Sequence, residues 1–163
     1  MVKKSILFVD KDYLDGIHPD DIRIGELHTN MGYMNGYRIA EELRETYRVT
    51  RADDFGRHIL EFMIDRSNHG DPFNALLTHI PFGDKGEGDY KNTKETLVSI
   101  REQFKTLPII AYSGINGSYY FSHGIDKLVD IGIVKTSDIN KDISRIKEFL
   151  AEHLEMHNHQ EPI

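Results

Sequence analysis

The stretch "NALLTHIPFGD", residues 74 to 84, decides how the chain is read. Residues 74–80 form a short apolar run, and Pro81 and Gly83 end any regular structure after it. Such a run suits a strand buried on both faces of a parallel sheet. It closes on Thr78 and His79, a hydroxyl and an imidazole. In an open α/β sheet the carboxyl ends of the strands are where ligands bind.

Four more runs share this character: "SILFV" (5–9), "YRVTRA" (47–52), "LPIIAYS" (107–113) and "IGIVK" (131–135). Helical spacing fills the intervals. Ile39 and Leu43 are four apart. Phe55, Ile59 and Met63 repeat at four behind Asp53 and Asp54, which sit where an N-cap belongs. Thr93, Leu97, Ile100 and Phe104 form a third stripe, and Ile139, Ile143, Ile146, Leu150 and Leu154 a last one. Each stripe predicts a helix packed on the sheet. Strands alternating with helices predict right-handed βαβ units. The expected fold is α/β, a doubly wound, five-stranded parallel sheet with helices on both faces.

The 163 residues suit one domain, taken here as 1–155, with a polar tail at 156–163 that frays. Hydrophobic residues at 39% and charged ones at 29% fit a globular protein and exclude a disordered chain. The net charge of -7 argues against nucleic acid as a partner, since that affinity comes from Lys and Arg. The absence of cysteine excludes disulfides, thiolate catalysis and Cys-based zinc sites. "MVKKSILFVDKD" has basic residues and then only four apolar ones before Asp10, too few for a signal-peptide core or a membrane span. A cytoplasmic protein with no membrane association is expected.

Six residues converge at the strand ends in such a fold. Asp10 and Asp12 follow the first strand, Thr78 and His79 end the third, Ser113 the fourth and Lys135 the fifth. Carboxylates hold a hard cation, a hydroxyl donates to a phosphoryl oxygen, and an ammonium neutralises its charge. The set suits Mg²⁺ and a phosphoryl group.

Here the chain resembles the receiver domains of two-component response regulators, the CheY-like family. "ILFVDKD" resembles their first strand and acidic metal site. "TLPIIAYSG" resembles their fourth strand with its Ser or Thr, and "GIDKLVDIGIVKTSDINKDI" the approach to their fifth strand, its Lys and the last helix. The resemblance implies a flavodoxin-like strand order of 2-1-3-4-5. It also implies signal transduction, with Asp10 and Asp12 as metal ligands and Thr78, Ser113 and Lys135 around a phosphate-like site. The departures are equally specific. Aligning "ALLTHIPF" puts Thr78 where receivers carry their phospho-accepting Asp, with His79 next. Lys11 separates Asp10 from Asp12, Thr136 replaces the Pro that follows the Lys, and the segment after the first strand is much longer than usual. These changes resemble a degenerate pseudo-receiver. It would act through a protein partner, a ligand or self-association on the face of the fourth helix, fifth strand and fifth helix. Any Mg²⁺ affinity left would be weak, and no catalytic residue is assigned.

Two other readings stay open. Asp10 and Asp12 also match the Asp-x-Asp of haloacid-dehalogenase-like phosphatases, where the first attacks phosphorus and the second is acid and base. That family needs a later acidic pair for Mg²⁺, and the acids after Lys135 fall in a helix. The glycines at 83, 86 and 88 suggest a flavodoxin-like or cobalamin-type small-molecule site, but Asp84, Glu87 and Asp89 would repel phosphate there. His18 and His28, in the acidic segment after the first strand, are candidate contributors to the same rim, as is His79. Tyr119, Tyr120 and Phe121 are adjacent, so one helix stripe cannot hide all three. His153 and His157 are four apart, a spacing that can bind metal on a helix.

Overall fold

The structure, a computed structural model, describes residues 2–9, 35–52, 57–80, 87–113 and 124–155. The described residues form five strands and four α-helices. Strand β1 spans Ser5–Val9, β2 Arg48–Ala52, β3 Ala75–His79, β4 Ile109–Ser113 and β5 Ile131–Val134. Helix α1 spans Asn35–Arg44, α2 Arg57–Asn68, α3 Glu87–Gln103 and α4 Ile139–Leu150. All strands are parallel, in the order β2-β1-β3-β4-β5. This is the doubly wound sheet that the apolar runs predict.

The pleat sorts the core into two halves. Ile6, Phe8, Val49, Leu77, Ile110 and Ile133 pack with Ile39 and Leu43 of α1 and Ile143, Ile146 and Leu150 of α4. Leu7, Val9, Leu76, Ile109 and Ala111 pack with Ile59 and Met63 of α2 and Leu97 and Ile100 of α3. Alternate residues of each strand thus serve opposite faces, and each helical stripe meets one of them. Between β4 and β5 the described residues form only a 3-10 turn, Ile125–Lys127. The aromatic trio at 119–121, the candidate cap at Asp53 and Asp54, and the rest of the expected fourth helix lie outside the described residues. The helix counted fifth from the sequence is therefore α4 here.

The amino edge of the sheet is held by two guanidinium clusters. Arg101 of α3 donates to Leu107 O at 2.7 Å, to Leu128 O from both Nε and Nη2, and to Asp130 Oδ2 at 3.1 Å. The same Asp130 oxygen accepts the Ile109 N–H at 2.7 Å, so α3, β4 and the entry to β5 are pinned together. Arg66 and Arg48 both reach Asp71 Oδ2, at 2.7 and 3.3 Å, just before β3. Partial desolvation pushes the Asp71 carboxyl up, but the two guanidiniums outweigh it and hold it below its ordinary 3.8. Gly70, at φ 79°, supplies the left-handed turn that ends α2 and delivers Asp71 to this cluster.

Among the described residues no helix is long and apolar enough to cross a membrane.

Leu77 is fully buried in the middle strand. Leu77→Ala should cost about 2–5 kcal/mol in urea unfolding, whereas Val98→Ala on the exposed side of α3 should stay within about 0.5 kcal/mol. Asp71→Asn should lower stability at neutral pH by less than about 1 kcal/mol, because the carboxylate is half exposed. A depressed carboxyl stabilises above its unfolded value and loses that contribution as pH falls through its folded value. The gap between variant and parent should therefore close by about pH 2 in acid titrations of stability.

Candidate functional site

Three strands bring their carboxyl ends to one edge. Thr78 and Ser113 are fully buried there, while His79 and Lys135 are partly exposed. The Lys135 N–H donates to Ser113 O at 2.6 Å, and the Ile80 N–H donates to Tyr112 O at 3.1 Å. These bonds carry the parallel pairing one residue beyond β3 and β5 and fix the level of the rim.

The pleat divides the candidate residues. Thr78 pairs with Val9 and Ala111, and Ser113 lies two residues beyond Ala111, so both belong to the face covered by α2 and α3. His79 pairs with Tyr112, which pairs with Ile133, and these belong to the face covered by α1 and α4. Lys135 joins that second group, with Nζ 5.0 Å from the centroid of the Tyr112 ring. The two hydroxyls thus share one side of the rim and the imidazole and ammonium share the other. The Thr78 hydroxyl donates locally, to His79 O at 3.1 Å. Asp10, Asp12, His18 and His28 lie outside the described residues. Among the described residues no cluster of three or more His, Asp or Glu forms a metal site. His153 stacks on Phe149, with Nδ1 2.9 Å from Phe149 O, and its spacing partner His157 lies outside the described residues.

A polar network that the sequence reading did not assemble lies beneath the Lys135 side of the rim. Asp142, in the first turn of α4, is 1% exposed. It accepts the Tyr112 hydroxyl at 3.1 Å, the Thr136 N–H at 3.1 and 3.2 Å, and the Thr136 hydroxyl at 2.8 Å. A buried carboxylate is tolerated only with such a set of donors. Thr136 Oγ1 also accepts the Asp138 N–H at 3.1 Å. Asp138 in turn caps α4 by accepting the Asn140 and Lys141 N–H groups. A signal was available, since Asp142 falls three after Ile139, inside an otherwise apolar stripe. Arg51, fully buried near the end of β2, is another polar core residue that composition did not point to.

The network gives a physical meaning to Thr, rather than the Pro expected from the resemblance, at position 136. Proline has no N–H and no hydroxyl, so it would leave Asp142 with the Tyr112 hydroxyl alone of its present donors. Thr136→Val keeps the N–H and removes the hydroxyl. It should cost about 1.5–3 kcal/mol, read as a lower urea midpoint at unchanged slope.

No protein-family model matches the chain, and no curated protein does. Solved structures do. The signal receiver domain of an HD domain-containing protein from Pseudomonas fluorescens Pf-5 matches with a TM-score of 0.60 at 16% identity, over 98% of this chain and 99% of that one. A CheY-like response regulator receiver domain protein from Methanospirillum hungatei JF-1 matches at 0.58 and 20% identity, over 94% and 98%. The isolated REC domain of RcsB from Salmonella enterica serovar Typhimurium, solved with the phosphomimetic BeF3-, matches at 0.51 and 16% identity, over 90% and 89%. At these identities the likeness is one of fold. The flavodoxin-like sheet of order β2-β1-β3-β4-β5 is the fold of response-regulator receiver domains.

Proposed function

We propose that the chain is a receiver-like signalling domain of the pseudo-receiver type, working through binding rather than aspartyl phosphorylation. One observation carries this reading. β3 occupies the middle of the sheet and ends on Thr78 and His79, and neither it nor Ile80 supplies a carboxylate. A hydroxyl or an imidazole cannot form the acyl phosphate on which receivers run. The fold likeness supports a role in signal transduction, and the edited strand end supports a changed input.

Lys135 on one side of the rim and Ser113 on the other each keep a capacity to contact an anion, and Asp10 and Asp12 a weak affinity for Mg²⁺. The output is a contact with a protein partner or a second copy through the side formed by β5 and α4. No observation among the described residues favours the phosphatase or the cofactor-binding reading.

The test combines three measurements on one preparation. After incubation with acetyl phosphate and Mg²⁺, the intact mass should show no phosphoryl adduct. A phosphomonoester should not turn over with Mg²⁺, and the absorbance spectrum should show no copurifying chromophore. An adduct would restore phosphotransfer through another acceptor. Mg²⁺-dependent turnover lost in Asp10→Asn would make the chain a phosphatase, and a bound chromophore would make it a cofactor carrier.

A further inference from the structure

Tyr112 is held from two directions. The Lys135 ammonium lies over its ring, 5.0 Å from the centroid, and its hydroxyl donates to Asp142 Oδ2 at 3.1 Å. Asp142 is held in turn by the N–H and hydroxyl of Thr136, which directly follows Lys135 in the chain. Lys135, Tyr112, Asp142 and Thr136 therefore close a ring, three of its links non-covalent and one a peptide bond. Tyr112 is 2% exposed and Asp142 1% exposed, so water does not substitute freely for either partner.

The chemistry of the ring makes its members interdependent. A cation over a phenol withdraws electron density from it, which makes the hydroxyl a stronger donor to the carboxylate. The carboxylate so engaged holds the Thr136 N–H, and the Asp142 N–H itself donates to Asp138 O at the start of α4. Lys135 is the charged member at the partly exposed rim, beside the exposed Thr136.

We infer that Tyr112 couples the position of the Lys135 ammonium to the anchoring of the first turn of α4. An oxyanion that draws Lys135 off the ring loosens the Asp142 contact and with it the start of the helix. Tyr112 acts as a positioning residue, touching no ligand itself. The coupling stands on the geometry alone, and its trigger rests on the anion-binding capacity proposed above.

Native-state amide exchange on the full chain tests the coupling without any ligand. Lys135→Met should speed exchange of the Thr136 and Asp142 amides by about fivefold, while amides of β1 and β3 stay unchanged. In a Tyr112→Phe background, which keeps the ring and removes the hydroxyl, Lys135→Met should add nothing. Lys135→Arg keeps the cation and should exchange as the parent does. Equal acceleration in both backgrounds, no acceleration in either, or acceleration by Lys135→Arg would each overturn the coupling. Titration with inorganic phosphate then tests the trigger. The amides of Lys135, Thr136 and Asp142 should shift together in the parent, and only that of Lys135 in Tyr112→Phe. A silent Lys135 amide would overturn the anion trigger and the anion-binding reading above. The exchange cycle would still decide the coupling by itself.

Discussion

Every residue of β1 and of β4 is buried, because helices cover both faces of the sheet. A strand in that position has no solvated face on which to carry polar groups. Its backbone donors and acceptors are used up in the parallel ladders with its neighbours. Polar chemistry is thereby driven to the one place where strands stop and loops begin. The amino edge is taken up by the Arg101 and Arg66 clusters, which pin elements together. The carboxyl edge is left for Thr78, His79, Ser113 and Lys135, and the rest of the molecule serves to hold that edge in register.

Register at that edge also divides it. Side chains one apart along a strand point to opposite faces, so a group of residues close in sequence space is not a group in three dimensions. Thr78 and His79 are neighbours in the chain, yet one sits with Ser113 above α2 and α3 and the other with Tyr112 and Lys135 above α1 and α4. The ammonium is parked on an aromatic ring on its own face. A carboxylate at the end of β3 would give such an ammonium an anionic neighbour. With Thr78 and His79 there instead, the Tyr112 ring provides an electron-rich surface for Lys135.

Thr136, directly after Lys135, is half of a pair with Asp142, since the N–H and hydroxyl that a proline would lack are the donors that make a buried carboxylate tolerable at the start of α4. Tyr112 supplies the other donor from the strand. The three residues tie β4, the end of β5 and α4 into one polar unit at the edge of a largely hydrocarbon face.

The sequence by itself determined the layering. Strands buried on both faces appear as unbroken apolar runs, and all five were legible to within two residues at either end. The helices were legible as stripes for the same reason, since one face of each had to be apolar. The strand-end residues followed from where the runs stop. The tertiary structure alone decided which of those residues share a face, and it alone revealed Asp142 as a buried anion with Tyr112 and Thr136 as its donors. Face depends on the phase of each pleat relative to its neighbours, which a single strand does not encode. A hydrogen bond from Tyr112 to Asp142 joins groups thirty residues apart, and although Asp142 interrupts an apolar stripe, nothing local names Tyr112 as its donor. Periodicity records where hydrocarbon must go. It does not record which polar group inside the hydrocarbon has found its partner.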